Sequence, residues 1–255
     1  MKQLKHGDFT NLAEDYAKYR PEYSRSALEA LLSLVNKEVI DFADVGAGTG
    51  IWTRMVANHP KVNVAYAVEP NDNMRQFGKN NDSLIIWQKG SGEDTGLKSD
   101  SFDLVSMASS FHWVDFDKGM KEFARILRPG GRFVALWNPR YMEDNQVLVD
   151  IENKLKELMP DMKRVSSGKS KFVEELTNKF LSCEDFDDLV FMEGRHSVNL
   201  TKEQYVGAWQ SVNDIQYQLG EKKFVEFMDY VQQKIAPLEY VKSTYLTRAW
   251  SIRRK

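Results

Sequence analysis

The stretch DVGAGTG, Asp44 to Gly50, sets three glycines at alternate positions directly behind a short apolar run. A glycine-rich turn lets the backbone approach a ligand closely, and the helix that follows offers unpaired N–H groups at its start. Folds that bind dinucleotides use G-x-G-x-x-G, whose third glycine would stand at position 51, where this chain has Ile51. Gly46, Gly48 and Gly50, preceded by Asp44, suit instead a ligand without a pyrophosphate, held by a ribose and an amino-acid tail. Glu69 ends the next apolar run, where a carboxylate can accept both hydroxyls of a ribose.

A second group of residues follows the fourth strand-like run. Three roles are open to His112 there: general base, hydrogen-bond donor to a substrate, or pocket wall. Trp113 and Trp137 fall at the carboxyl ends of two strands, the side on which open α/β sheets bind substrates. Trp209 lies in a later helical layer and is counted with the pocket, whereas Trp52, Trp87 and Trp250 read as core. Arg140 follows the fifth strand and is either an anchor for an anionic substrate or a solvated cation. Asp115 and Asp117 read as helix-starting residues. His6, His59 and His196 show no metal-ligand spacing. With one cysteine, Cys183, neither an internal disulfide nor a Cys-rich metal site is available, and no metal is expected.

These residues need a scaffold, and the chain supplies an alternating one. Val39–Val45, Val62–Val68, Leu84–Trp87, Phe102–Met107 and Phe133–Trp137 are compact apolar or β-branched runs. Helix-like segments separate them, at Ile51–Asn58, from Asn71, and at Phe116–Leu127, where Phe116, Met120, Phe123, Ala124 and Leu127 share one face before RPGG ends the helix. Strands alternating with helices of this length imply βαβ units and a parallel sheet covered on both faces. Beyond Trp137 the rhythm changes. Residues 142–181 read as helices of mixed charge, 189–200 contain a strand, and 201 and 221 begin further helices. Tyr245–Arg253 alternates as a closing strand.

The chain has 255 residues, 42% hydrophobic and 28% charged, with a formal net charge of −2. That suffices for one large α/β domain. No stretch approaches the ~20 apolar residues of a membrane span, and MKQLKHGDFT lacks a signal peptide's apolar core, so a cytoplasmic protein is expected. Lys and Arg form no block apart from the closing RRK, so no nucleic-acid partner is expected.

DVGAGTG, then AVEP, then GSGEDTGLKSDSFDLV, then ILRPGGRF resemble, in order and spacing, the motifs of class I S-adenosylmethionine (SAM)-dependent methyltransferases. AEDYAKYRPEY and SSFHWVD are similar to small-molecule methyltransferases of the UbiE and trans-aconitate methyltransferase kind. The resemblance implies an α/β, Rossmann-like fold: a seven-stranded mixed sheet with helices on both faces and a helical cap. It implies a single domain over 1–255, with N-terminal cap helices in 1–36, a SAM-binding core in 37–140, and a substrate cap plus closing antiparallel strands in 141–255.

The resemblance also implies site roles. Gly46, Gly48 and Gly50 pass under the methionine portion of SAM, with Asp44 close to its amino group. Glu69 holds the ribose, Pro70 and Met74 lie near the adenine, and Ser109 joins the cofactor site. Relatives often carry an aspartate where this chain has Ser91, which leaves the adenine amine to Ser91, Glu93 or Asp94. Tyr16, Tyr19 and Arg20 belong to a covering N-terminal helix, Tyr19 facing the substrate and Arg20 the methionine carboxylate. The implied reaction transfers a methyl group from SAM to a small acceptor, leaving S-adenosylhomocysteine (SAH). A carboxylate acceptor needs no base and raises Arg140; a protic oxygen, nitrogen or carbon acceptor promotes His112. A protein that binds SAM without turnover is the alternative from a different class.

Overall fold

The computed structural model describes residues 17–162 and 171–255. Five parallel strands form one half of the sheet: β1 (Ile40–Val45), β2 (Val62–Val68), β3 (Ile85–Gln88), β4 (Phe102–Ala108) and β5 (Leu127–Trp137), in the order β3-β2-β1-β4-β5. Three antiparallel strands complete it: β6 (Arg140–Tyr141), β7 (Phe186–Leu200) and β8 (Val241–Arg254). The order reverses at β1 and β4, which lie side by side although two strands separate them in sequence. Such a switch opens a crevice at the strands' carboxyl ends, and the glycine turn after β1 lies there.

Helix α1 (Arg25–Ser33) is capped by the Ser24 side chain, and α2 (Ile51–Ala57), α3 (Asp72–Asn81) and α4 (Phe116–Ile126) are the crossovers of the parallel half. The Asp115 carboxylate caps α4 by accepting the Lys118 N–H, with Asp117 in the first turn, so both acidic residues do start a helix. One apolar face of the sheet packs α1 and α2 through Leu28, Leu31, Trp52 and Val56. The other packs α4 and α6 (Lys171–Leu181) through Phe111, Phe123, Phe133 and Phe180.

The later helices have a separate core. Helices α5 (Gln146–Leu158), α7 (Lys202–Gln210) and α8 (Asn213–Ile235, kinked at Gly220) bury Leu148, Ile151, Trp209, Ile215, Phe227 and Val231 together. Thr201 and Gln204 form a reciprocal capping box at the start of α7. Both α7 and α8 sit within one hairpin connection, because β7 pairs with β8 from Phe186↔Arg254 as far as Leu200↔Val241.

The sheet has one strand more than the seven expected. Strand β5 pairs with β8 only at residues 248–253, and β6 takes up the edge farther along, pairing Arg140 with Tyr245. Two residues carry no periodicity, so β6 leaves no trace in the sequence. Among the described residues, no helix is long and apolar enough to cross a membrane, and no group of His, Cys, Asp and Glu could hold a metal ion.

Candidate functional site

The glycine turn closes over the end of β1 with Gly46, Gly48 and Gly50 all at positive φ (66°, 58° and 86°). At Gly46 a side chain is forbidden by packing as well as by φ, since a Cβ would meet Ser110 Oγ at 2.7 Å. At Gly48 a Cβ would meet none of the described residues within 4 Å, so toward them that surface of the turn is open.

The Glu69 carboxylate is strung across the mouth of this turn. One oxygen accepts the Gly48 N–H at 2.8 Å and the other accepts the Asn71 N–H at 2.8 Å. Glu69 is buried, and burial raises its pKa against the lowering effect of those two N–H groups. Each carboxylate oxygen has two acceptor positions, so both oxygens keep one for a further donor. The pair can receive a vicinal diol.

Asp44 is the penultimate residue of β1, just before the turn. It is fully buried, and its two oxygens accept from Thr53 Oγ1 at 2.6 Å and Ser106 Oγ at 2.8 Å, while Ser106 in turn accepts from Trp52 Nε1 at 3.0 Å. The carboxyl thus ties β1, α2 and β4 together beneath the turn. Burial pushes its pKa up to about 7 despite the two hydroxyls.

The other cofactor residues are spread around this centre. Met74 is buried in α3 and Pro70 is exposed. Ser91 Oγ accepts the N–H groups of Glu93 and Asp94, so it shapes its own loop. Glu93 accepts the Asp115 N–H at 2.9 Å, tying that loop to the start of α4, and Asp94 is exposed. Ser109 stands at φ 55°, donates its N–H to Leu136 at 2.7 Å, and pairs its hydroxyl with that of Tyr23 at 2.9 Å. Tyr16 lies outside the described residues.

Residues 19–24 form a strap joining the two halves of the molecule. Arg20 Nε donates to Ser211 Oγ at the end of α7, and Tyr19 packs so tightly on Gly207 that a Cβ there would meet its ring at 2.4 Å. The Glu22 carbonyl accepts from Asn138 Nδ2 and from His196 Nε2, each at 3.0 Å. The Ser24 N–H donates to Thr247 Oγ1 at 2.8 Å. Tyr23, Asn138 and His196 thus seat the strap; Tyr23 sits in the RPEY stretch, but its partners come from distant strands.

On the acceptor side, His112 lies in the short 3₁₀ turn Phe111–Trp113 that follows β4. Trp113 is 45% exposed and its ring lies 4.7 Å from that of His112, at the rim. Trp137 is buried and donates Nε1–H to His112 Nδ1 at 3.4 Å. Trp209 is buried in the cap core, with the Arg140 guanidinium 4.2 Å above its ring. Arg140 also lies 5.4 Å from the ring of Tyr205 and across from Tyr245 on β8. Burial opposes its charge, but the oxygens of Tyr245 and Tyr205 and the Glu152 carboxylate outweigh that and raise its pKa. Arg140 is therefore a cation on an aromatic platform rather than a solvated one. Tyr205 and Tyr245 went unmarked in the sequence because nothing there places them opposite Arg140. Trp52 and Trp250 are core residues on opposite faces of the sheet, and the half-buried Trp87 packs on the core that holds Trp52. Burial pushes the Cys183 thiol up to about 11, away from the thiolate form.

Residues 43–135 match the methyltransferase domain family. An uncharacterized methyltransferase of Mycobacterium tuberculosis is 36% identical over 126 residues, 49% of each chain. The ubiquinone/menaquinone biosynthesis C-methyltransferase UbiE of Campylobacter jejuni is 25% identical over 174 residues, 64% of this chain and 74% of that one. This chain spans about half the length of the first curated relatives it matches. A solved structure from Anaeromyxobacter dehalogenans, assigned to the type II methyltransferases, superposes with a TM-score of 0.70 at 20% identity, over 91% of this chain and 97% of that one. Residues 43–135 are thus similar to a methyltransferase domain in sequence, and the chain shares its fold with the Anaeromyxobacter structure.

Proposed function

We propose that this chain is a SAM-dependent methyltransferase acting on a small-molecule acceptor held in part by Arg140. The observation that carries the reading is the Glu69 carboxylate, buried and pinned by Gly48 and Asn71 with one acceptor position left on each oxygen. That pair of acceptors fits a ribose diol, and the open surface at Gly48 fits a chain passing over the turn. Bound there, SAM supplies a methyl group on a sulfonium, electrophilic without help from the protein. What the protein contributes is alignment and exclusion of water. Glu69 orients the cofactor, while Trp113, Trp137 and the cap line the side from which an acceptor approaches. Arg140 binds an anionic group of that acceptor.

Two measurements test this. Calorimetry with SAM and SAH should show binding, and SAH release should be followed across small carboxylic acids, phenols, alcohols and amines. Turnover of acids that exceeds turnover of neutral acceptors supports the Arg140 role. Binding without turnover of any acceptor would leave a SAM-binding protein and overturn the enzymatic reading. Arg140→Gln should raise KM for an anionic acceptor about tenfold or more, the range of a lost charge-assisted hydrogen bond, with SAM affinity unchanged.

A further inference from the structure

Strand β7 is an open edge of the sheet. It runs for 15 residues and pairs with β8, and among the described residues no other strand or loop pairs with its outer side. The pairing is regular from Val190 to Leu200, beyond a bulge between Asp187 and Val190 where Asp188 stands at φ 47°. A long edge is a template for another strand, and proteins that stay apart blunt such edges with lysine, proline or a covering segment. Between Val190 and Leu200 the chain has neither lysine nor proline. What it has is one acidic and one basic residue, Glu193 and Arg195, on either side of Gly194. Two residues apart on a strand, they share a face. Glu193 bridges to Arg248 at 3.4 Å, and Arg195 bridges to Asp144 at 2.8 Å. Their side chains are still 42% and 55% exposed, which leaves each able to meet a second opposite charge.

We propose that this edge is an interface with a second copy of the chain, β7 pairing antiparallel with the partner's β7 about a two-fold axis at Gly194. An axis normal to the sheet sets residue i of one copy against residue j of the other, and j against i, with both on the same face. Centred on Gly194, it sets Glu193 against the partner's Arg195 and Arg195 against the partner's Glu193. Centred one residue away on either side, it sets two glutamates or two arginines directly opposite each other, which is destabilising. The same register sets Val190 against the partner's Val198, and Phe191, 47% exposed in the single chain, against the partner's Ser197. The whole span from Val190 to Val198 falls within the regular part of the strand, clear of the bulge.

The pairing joins two eight-stranded sheets into one. Main-chain hydrogen bonds supply the affinity, and the two charged pairs fix the register. Helices α7 and α8 hang between β7 and β8, so the interface braces the hairpin that carries the cap.

Analytical ultracentrifugation of the wild-type chain over about a hundredfold range of concentration should show monomer and dimer in reversible equilibrium. Glu193→Arg and Arg195→Glu should each weaken the dimer about tenfold or more, because the axis repeats every cross-strand pair. The two substitutions together break the same bridges to Arg248 and Asp144, yet they restore opposite charges across the axis, so association should return. Hydrogen exchange reads the same edge directly. The outward amides between Val190 and Val198 should gain protection as concentration rises. A wild-type chain that stays monomeric throughout overturns the proposal. So does a dimer that neither charge reversal weakens, or a double variant no tighter than the single ones. Protection of the outer β7 amides that is independent of concentration would mean that the edge is covered within the monomer, and overturns it too.

Discussion

At the scale of single residues, a few side chains define the site by what already occupies them. Glu69 has both oxygens engaged from below by backbone N–H groups, which fixes its direction before any ligand arrives. Glu69→Ala should weaken SAM binding tenfold or more by calorimetry, since each hydrogen bond to a charged group contributes ~1.5–3 kcal/mol. Affinity within a factor of two of wild type would remove the ribose assignment. The sequence made Glu69 and the glycines legible because their spacing is local. It did not reveal that Trp137 turns its N–H on His112 or that Trp209 stacks under Arg140, since those pairs are 25 residues apart in one case and in different layers in the other. Aromatic residues there could be marked as pocket lining by position alone, and their orientation depends on packing that periodicity does not encode.

At the scale of elements, Asp44 joins β1, α2 and β4 through Thr53, Ser106 and Trp52. Its position next to the glycines suggested a ligand contact. The convergence of two hydroxyls on that carboxyl, one from α2 and one from β4, was not legible there. The network has a pH signature. An unfolded aspartate titrates near ~3.9 and this one titrates at about 7, so the folded state holds the extra proton between those values. Stability from this group therefore falls as pH rises through that window and levels off above it. The expected slope is ~1.4 kcal/mol per unit at most. Urea unfolding of wild type and Asp44→Asn at pH 5 to 8 should show wild type losing stability relative to the variant up to about pH 7. A difference independent of pH would mean that the carboxyl ionises normally.

At the scale of the whole molecule, the described residues have three apolar cores, two against the sheet and one within the cap. The alternation of strand and helix through residue 137 made the sheet legible, and the capping residue Thr201 marked the cap. How the cap is attached was not legible, because β6 is two residues long and the β7–β8 hairpin encloses two helices, of 9 and 23 residues. A cap with its own core, hung on one hairpin, should open as a unit. Native-state hydrogen exchange should find amides of α7 and α8 protected less than those of β1, β4 and β5, with one shared opening free energy. Equal protection in all of them would mean that cap and sheet are a single cooperative body.

The pairing of β5 with β8 bears on how this protein refolds. Trp137 meets Arg248, about 110 residues further along the chain, and that bond must wait until the intervening loop closes. Pairings so distant in sequence slow folding, while the neighbouring βαβ units join much closer partners. From denaturant, the parallel half should therefore assemble ahead of the antiparallel half. For a time the chain should carry a glycine turn able to take its ligand beside an exposed β5 edge. Such an edge is an open template for another strand, so the yield of refolding should fall steeply as protein concentration rises.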